Sequence, residues 1–380
     1  YIKRMVPRFR LPGAVRFRDI MSQPHFVPEN VPIERGDLAF IQYTGGTTGT
    51  SKGAMLTHRN ILANAIQHHV WLRHLLVEGE ELVVTALPLY HIFALTVNFI
   101  TFFRIGAENI LIINPRDMGA FLGTISKRPF SIITGVNTLF NSMMNHPEFE
   151  KIDFSKLKLS IGGGMAVLKP VAERWKKHTG VLLMEGYGLT ECSPVVAIHP
   201  FDGVERIGTI GIPLPGTDVK ICDDAGRELP RGQEGEMCVK GPQVMKGYWH
   251  NDQETMDAFA GEFVRTGDIA TMDDEGFLRI VDRKKEMINV SGFNVYPREI
   301  EDVIAAHPKV LEVGVKGVVD QRSNEVPKAF VVKKEESLSE DEILRYCRNH
   351  LTSYKVPRSV VFRESLPKTN IGKILRKELA

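Results

Sequence analysis

The 380-residue chain has 43% hydrophobic and 25% charged residues and a net charge of +2, which is ordinary for a soluble globular protein. So small a charge argues against a nucleic-acid partner, and the length suggests two or three domains. The four cysteines are widely spaced and include no CxxC pair, which argues against a zinc site or a disulfide framework and favours a reducing, intracellular setting.

The first informative element is an apolar run at residues 38–41, predicted to be a strand, that leads into a loop rich in glycine and threonine. Such a loop brings backbone N–H groups close to phosphate oxygens, while hydroxyls and a lysine add donors and charge. We therefore predict a nucleotide-phosphate site formed by Tyr43, Thr44, Gly45, Gly46, Thr47, Thr48, Gly49, Thr50, Ser51, Lys52, Gly53 and Ala54.

The order of residues in this loop excludes the ordinary P-loop. In a P-loop the lysine directly follows the last glycine, whereas here Lys52 precedes Gly53. The alternative is a flexible surface turn, although glycine-rich linkers rarely combine this much threonine with one lysine.

Short apolar runs then alternate with helical patterns. Strands are predicted at residues 82–87, 110–113, 131–134, 157–161 and 181–184, and helices at 118–127 and 170–178. This alternation predicts a parallel or mixed α/β sheet, and ligands of such sheets bind at the carboxyl ends of the strands. Residues 92–103 are predicted to form a buried helix, because they fall short of the roughly 18 apolar residues of a membrane span; peripheral membrane contact stays open.

Three short motifs carry further binding chemistry. Gly162, Gly163 and Gly164 offer bare backbone against which a flat ligand can lie. Within residues 186–191, an aromatic ring between glycines can stack on a base, and Thr190 and Glu191 can meet phosphate and Mg²⁺. Asp268, in Thr-Gly-Asp, offers a carboxylate to a ribose diol. The simpler alternatives are strand-ending turns and a turn aspartate.

The pattern of glycines and apolar runs changes twice in the last part of the chain. From about residue 208 to 281, glycines punctuate short apolar runs, which predicts an antiparallel β subdomain or barrel. From Asp282 onwards, helices at 299–306 and 338–351 and strands at 312–319 and 329–332 predict a compact α+β module. We therefore expect a large domain at 1–281 and a C-terminal domain at 282–380.

Together these motifs resemble the adenylate-forming superfamily of acyl-CoA synthetases, luciferases and peptide-synthetase adenylation domains. The resemblance covers nearly the whole chain and includes residues 43–54, 87–91, 186–191, 266–268, 282–285 and 368–376. Within the superfamily, residues 90–95, 242–245 and 290–297 are similar to bacterial long-chain fatty acid–CoA ligases.

The resemblance implies an ATP-dependent ligase that activates a long-chain fatty acid as an acyl-adenylate and transfers the acyl group to coenzyme A, giving acyl-CoA, AMP and pyrophosphate. It implies ATP, Mg²⁺ and coenzyme A as cofactor and co-substrates. The implied fold is a multidomain α/β one, with a large domain of layered sheets, a β-barrel-like subdomain and a small mobile C-terminal domain that rotates about a hinge at Asp282.

The resemblance also implies roles for individual residues. The loop at 43–54 would hold the β- and γ-phosphates, and Glu191 would carry Mg²⁺. The implied catalytic residues are Lys373, Glu191, His91 and Thr190. The remaining cofactor-binding residues would be Gly162, Gly163, Gly164, Gly186, Tyr187 and Gly188 around the adenine, Asp268 with Arg283 at the ribose, and Gly292 in the coenzyme A channel.

Several alternatives stay open from the sequence. The acid could be medium-chain or aryl, or the chain could be a nucleotide-binding fragment without turnover, because relatives carry a sizeable region before the point that matches Tyr1. Many relatives also carry a lysine where Asn289 stands, which removes one candidate cation for the thioester step. A cytoplasmic location is expected, while attachment to the inner face of the membrane and a homodimer are left open.

Overall fold

The computed structural model describes residues 10–22, 30–44, 51–204 and 206–380. The chain divides into two compact units, Tyr1–Glu34 and Arg35–Ala380. The described part of the first unit holds one short helix, α1 (Phe17–Met21). Among the described residues, no helix is both long and apolar enough to cross a membrane.

The second unit begins with an antiparallel hairpin of β1 (Leu38–Thr44) and β2 (Lys52–Thr57). Thr44 lies opposite Lys52 in this pairing, so the predicted phosphate loop connects the two strands. Its residues Gly45, Gly46, Thr47, Thr48, Gly49 and Thr50 lie outside the described part of the chain. The helix α2 (His58–Leu72) follows at once, and Thr57 and Asn60 cap its start reciprocally.

The predicted alternation of strands and helices forms a mixed sheet. Its strands are β3 (Leu82–Thr85), β4 (Glu108–Leu111), β5 (Ile132–Gly135), β6 (Leu159–Gly162), β7 (Leu183–Gly188), β8 (Val195–Ile198) and β9 (Ile212–Pro213). Their order is β4-β3-β5-β6-β7-β8-β9; β3 to β7 pair in parallel, and β8 and β9 pair antiparallel. The helices between them are α3 (Phe102–Arg104), α4 (Met118–Ile125), α5 (Asn137–Met144) and α6 (Lys169–Thr179).

Burial on both faces explains why apolar and polar residues do not alternate along these strands in the sequence. Val83, Val84, Ile132 and Ile133 are fully buried, because helices cover both faces of a parallel sheet. Trp175 on α6 is the largest fully buried side chain, and its indole N–H donates to Ser160 Oγ over 3.0 Å. The prediction of an α/β sheet is confirmed.

The segment predicted as a buried helix at residues 92–103 differs from the expectation in two ways. It is a π-helix at Phe93–Thr101 that continues into α3. Asn98 links it to the sheet through the hydroxyls of Thr85 and Thr134, at 3.2 and 2.9 Å. Phe93, Val97 and Phe102 are buried, whereas Phe99 and Phe103 are 43% and 69% exposed, so the prediction of a buried helix is confirmed for one face of the segment.

The glycine-rich region forms a second, antiparallel sheet, as predicted. Its strands are β10 (Asp218–Cys222), β11 (Gly235–Lys240), β12 (Phe259–Ala260), β13 (Phe263–Met272) and β14 (Leu278–Arg283), with α7 (Asp252–Ala258) between β11 and β12. At the start of the expected subdomain, β9 instead pairs with β8 in the first sheet.

The C-terminal residues form an α+β arrangement around a third sheet. Its strands are β15 (Ile288–Val290), β16 (Phe293–Val295), β17 (Val310–Asp320), β18 (Asn324–Lys333) and β19 (Ser359–Phe362), of which only β19 pairs in parallel. The helices α8 (Pro297–Ala305) and α9 (Glu340–His350) supply Ile300, Ile304 and Ile343 to its core. We call residues 282–380 the C-terminal module; its separation from the rest as a domain stays a prediction.

Replacing Trp175 by alanine tests the core of the first sheet. We expect Trp175→Ala to lower the free energy of unfolding by about 3–5 kcal/mol, because a large buried side chain leaves a cavity. Denaturant titration measures this, with the exposed Lys177→Ala on the same helix as the control. A loss for Trp175→Ala no greater than that of the control would contradict the packing described.

Candidate functional site

A cleft opens where the carboxyl ends of β6 and β7 meet the strands β13 and β14 and the C-terminal module. Its volume is about 180 Å³. The residues that line it come from these elements and include Gly164, Gly186, Tyr187, Gly188, Asp268, Arg283 and Lys373. The structure therefore brings together residues that are up to about 200 positions apart in the sequence.

Asp268 is the centre of the polar cluster in this cleft. It lies directly opposite Arg283 in the pairing of β13 with β14, and its Oδ1 is 2.7 Å from Arg283 Nε. The Tyr187 hydroxyl donates a hydrogen bond to Asp268 Oδ2. Burial raises the pKa of Asp268, and Arg283 and the Tyr187 hydroxyl offset part of this effect. Because Asp268 lies inside β13, the alternative of a turn aspartate is wrong.

Arg283 is the cation of this cluster. Burial works against the charge of the guanidinium, but the carboxylates around it, including those of Asp268 and Glu191, raise the pKa of Arg283 overall. Arg283 therefore stays a permanent cation beside Asp268.

The three glycines after β6 do not share one environment. A Cβ at Gly162 would lie 2.3 Å from Val167 Cγ2, and one at Gly163 would lie 3.0 Å from Phe93 Cε1, so both positions serve close packing within the protein. Gly164 lines the cleft. The expectation of a flat surface formed by all three therefore finds its geometric support at Gly164.

The second glycine motif belongs to a strand. Gly186, Tyr187 and Gly188 are the last residues of β7, and a Cβ at Gly188 would lie 2.3 Å from the carbonyl oxygen of Pro194. The alternative of a strand-ending turn at these residues is wrong, because pairing with β8 extends the strand to Gly188. Thr190 then begins a short 3₁₀ turn that also contains Glu191.

Glu191 is connected to the phosphate hairpin through Tyr248. The Tyr248 hydroxyl donates to Glu191 Oε1 over 2.7 Å, and Lys52 Nζ lies 5.3 Å from the centroid of the Tyr248 ring. Lys52 Nζ also pairs with the carboxylate of Glu254 on α7. The backbone of Gly53 accepts a hydrogen bond from Trp249 N over 2.8 Å, which holds β2 against this segment.

The other described residues of the loop close the hairpin. Ser51 Oγ donates to the carbonyl oxygen of Thr44 over 2.7 Å, Ala54 bridges to Tyr248, and the Tyr43 side chain is exposed. Next to Glu191, burial and the neighbouring carboxylate raise the pKa of the Cys192 thiol, which disfavours the thiolate.

Lys373 enters the cleft on a hairpin of the C-terminal module. Thr138 Oγ1, at the start of α5, donates to the carbonyl oxygen of Gly372 over 3.0 Å, and Lys373 N donates to Thr369 Oγ1 over 3.1 Å. Burial and the nearby Arg283 lower the pKa of Lys373. Burial also lowers the pKa of His91, and the charge of Lys373 contributes to that shift, which places the two side chains near each other.

A charged cluster beside the cleft was missed by the sequence reasoning. Arg376 Nη1 is 2.8 Å from Asp282 Oδ1, and Arg376 Nη2 is 2.6 Å from Glu301 Oε2. Arg298 and Glu185 form a further pair at 3.7 Å. The only signal in the sequence was the spacing of Arg376 three residues after Lys373, which gives no indication of its partners.

Gly292, a predicted cofactor residue, lies on a different surface from the cleft. It lies in the exposed turn between β15 and β16, where its N–H donates to Asn289 Oδ1 over 2.9 Å. It does not line the cleft that holds Lys373.

The fold and this cleft define a class of nucleotide-using enzymes. The chain belongs to the AMP-binding enzyme family: residues 11–249 match the model of the AMP-binding enzymes, and residues 299–373 match that of the AMP-binding enzyme C-terminal domain. The resemblance to adenylate-forming enzymes is thus confirmed, and the family uses ATP, Mg²⁺ and coenzyme A.

Individual proteins of known sequence and structure are similar to this chain. A long-chain-fatty-acid–CoA ligase of Escherichia coli O6:H1 is 56% identical over 387 aligned residues, covering 100% of this chain and 68% of that protein. ATP-bound MatB from Rhodopseudomonas palustris is 33% identical, with a TM-score of 0.82 over 90% of this chain and 68% of MatB. Apo MatB from the same organism, also 33% identical, gives a TM-score of 0.70 over 91% and 68%. The chain thus spans about two thirds of the length of these proteins.

Removing the carboxylate of Asp268 tests the central cluster. We expect Asp268→Ala to weaken ATP binding by about ten-fold or more, since a charge-assisted hydrogen bond contributes roughly 1.5–3 kcal/mol. Titration calorimetry with MgATP measures the affinity. Asp274→Asn, at the exposed turn between β13 and β14, is the control, and equal affinities of the two variants would contradict a nucleotide role for Asp268.

Proposed function

We propose that this chain is an acid–thiol ligase that activates a long-chain fatty acid with ATP and transfers the acyl group to coenzyme A, with release of AMP and pyrophosphate. The observation that carries the proposal is the position of Lys373 in the same cleft as Tyr187, Asp268 and Arg283. A cation on the C-terminal module thus meets the residues of a nucleotide site. The family match and the name of the E. coli relative support the substrate class.

The first half-reaction joins a carboxylate to the α-phosphorus of ATP, so two anions must approach in line. The protein has to neutralise charge and fix geometry, as in other reactions at phosphorus. We assign Lys373 to the carboxylate and α-phosphate, with His91 beside the carboxylate. Asp268 would bind the ribose hydroxyls, and Tyr187 and Gly164 would frame the adenine.

The phosphates would be bound by the hairpin of β1 and β2 and by Glu191. The Glu191 carboxylate accepts one hydrogen bond from Tyr248 at Oε1, which leaves Oε2 for another partner. Mg²⁺ is commonly held by one or two carboxylates together with phosphate oxygens, so a single oxygen donor such as Glu191 fits this ion. When bound, Mg²⁺ would neutralise charge on the phosphates. Lys52, Ser51 and the neighbouring backbone would hold the departing pyrophosphate, and Thr190 would contact the phosphates.

The similarity to an ATP-bound relative supports this first step. The TM-score is higher to ATP-bound MatB than to apo MatB, at 0.82 against 0.70 over nearly equal coverage. In the second half-reaction the thiol of coenzyme A attacks the acyl carbonyl and AMP leaves. We propose that the module rotates about Asp282 for this step, so that the turn with Gly292 replaces Lys373 at the site.

We include peripheral attachment to a membrane in the proposal, because a long-chain acid partitions into lipid. The exposed rings of Phe99 and Phe103, with centroids 5.6 Å apart, support such a contact. A homodimer and an intracellular location remain predictions.

The deciding experiment measures AMP and acyl-CoA formation with fatty acids of increasing chain length. We expect kcat/KM to rise with length, because each buried methylene contributes about 0.8 kcal/mol. A maximum of kcat/KM at medium-chain or aryl acids would show that these acids, and not long-chain ones, are the substrates. ATP binding without pyrophosphate release would contradict ligase activity.

Lys373→Ala separates the two half-reactions. We expect adenylate formation to fall by about 100-fold or more, because the preorganised cation is lost from the transition state. Conversion of supplied acyl-adenylate to acyl-CoA should persist. Pyrophosphate release and thioester formation are measured separately, and an equal loss in both would contradict the role assigned to Lys373.

The lowered pKa of Lys373 has a consequence for the pH profile. Adenylation needs the protonated ammonium, so its rate should fall as pH rises through a value below the ordinary lysine pKa of 10.5. Lys373→Arg should move this alkaline limb to higher pH, since a guanidinium stays protonated. An unchanged alkaline limb in Lys373→Arg would exclude Lys373 as its source.

A further inference from the structure

An ion pair in the wall of the cleft joins the first sheet to the C-terminal module. Glu185 Oε1 on β7 lies 3.7 Å from Arg298 Nη2 on α8. Both side chains are largely buried, with 8% and 13% exposed. The pair lies at the same cleft as Tyr187 and Lys373 but takes no part in the chemistry assigned above.

Glu185 is held rigidly on the side of the nucleotide site. It is the residue before Gly186 on β7, and its Oε2 accepts a hydrogen bond from Val167 N over 3.1 Å. Its carbonyl oxygen is 3.0 Å from Nδ1 of His199, which fixes the backbone as well. The carboxylate therefore presents its remaining oxygen in one direction, towards α8.

Arg298 is held on the other side at the proposed hinge. Its backbone N–H donates to Asp282 Oδ2 over 2.8 Å, and its Nη1 donates to the carbonyl oxygen of Ile280 over 3.0 Å. The second guanidinium branch reaches Glu185. One side chain thus contacts the strand before the hinge and the strand that carries Tyr187.

The guanidinium is the group that favours the charged form of the Glu185 carboxyl. Burial raises the pKa of Glu185 to about 7, and the charge of Arg298 opposes this shift. Arg298 is therefore the cation that compensates the Glu185 carboxylate in the wall of the cleft. Removing one partner of a buried pair is costly because it leaves an uncompensated charge.

We propose that the Glu185–Arg298 pair is an interdomain latch that holds the C-terminal module in the orientation that places Lys373 in the cleft. The latch rests on the proposed function, since it favours adenylation over the thioester step. The pair has to separate when the module rotates about Asp282. Glu185 and Arg298 are thus positioning residues, which act on the reaction through Lys373.

The kinetic test uses Glu185→Gln, Arg298→Gln and the double variant. Glutamine at 185 keeps an acceptor for Val167 N but removes the charge. We expect each single variant to slow fatty-acid-dependent pyrophosphate release about five-fold, a typical coupling effect. The KM for ATP and the conversion of supplied acyl-adenylate should be unchanged. The double variant should be no slower than Arg298→Gln, because the interaction with Glu185 is already lost in that variant.

The matched control is Glu299→Gln, which removes an ion pair on the same helix. Glu299 pairs with Lys355 at 2.7 Å, entirely within the C-terminal module. This variant should leave both half-reactions at the wild-type rate. Equal losses in the two half-reactions for Glu185→Gln, or additive losses in the double variant, would overturn the latch.

A conformational readout separates the latch from the proposed activity. Fluorescent labels on cysteines introduced at the exposed Lys177 and Asn349 report the distance between α6 and α9, because the four native cysteines are buried. We expect Glu185→Gln and Arg298→Gln to shift this distance distribution and Glu299→Gln to leave it unchanged. If the wild type releases no pyrophosphate, the proposed function fails while the distances still decide the latch. Unchanged distances in both variants would overturn it.

Discussion

The arrangement of the cleft depends on the charge balance around the ammonium of Lys373. Lys373 and Arg283 line the same cleft, so two cations lie in one cavity. The carboxylate of Asp268 compensates part of this charge, and it is fixed by Arg283 and the Tyr187 hydroxyl. The other carboxylates of the lining pair with Arg298, Lys368 and Arg376. Lys373 and Arg283 are therefore left to meet a polyphosphate and a carboxylate.

The scaffold meets this requirement by combining three sheets of different kinds. The parallel strands end near Gly164, Gly186 and Gly188, which line the cleft, and ligands of such sheets bind at the carboxyl ends of the strands. The antiparallel strands β13 and β14 place Asp268 and Arg283 side by side through their register. The C-terminal module adds Lys373 on a hairpin that contacts α5 through Thr138. The parallel strands thus contribute glycine backbone, β13 and β14 contribute an ion pair, and the C-terminal module contributes the ammonium group.

The sequence predicted the components of the site better than their geometry. Local patterns were sufficient to predict the strands before the glycines. The order Ser51-Lys52-Gly53 was sufficient to exclude the ordinary P-loop, and the motifs together indicated the family. Local patterns failed where tertiary pairing decides the structure. The alternative of a strand-ending turn at Gly186 to Gly188 is wrong because β8 supplies a pairing partner that continues β7. The partners of Arg298 and Arg376 are far away in the sequence, and a single charged residue carries no information about which carboxylate it will meet.

Asp282 and Arg283 are consecutive residues at the end of β14. One carboxylate is held by Arg376 and by the backbone of Arg298, while the next side chain faces Asp268 at the nucleotide site. The proposed rotation about Asp282 would therefore begin a single peptide unit away from Arg283, whose guanidinium contacts the carboxylate proposed to bind the ribose. The proposed nucleotide site and the proposed pivot share one stretch of backbone, so an engineered exchange of C-terminal modules between related enzymes would have to keep the junction after Arg283 rather than before it.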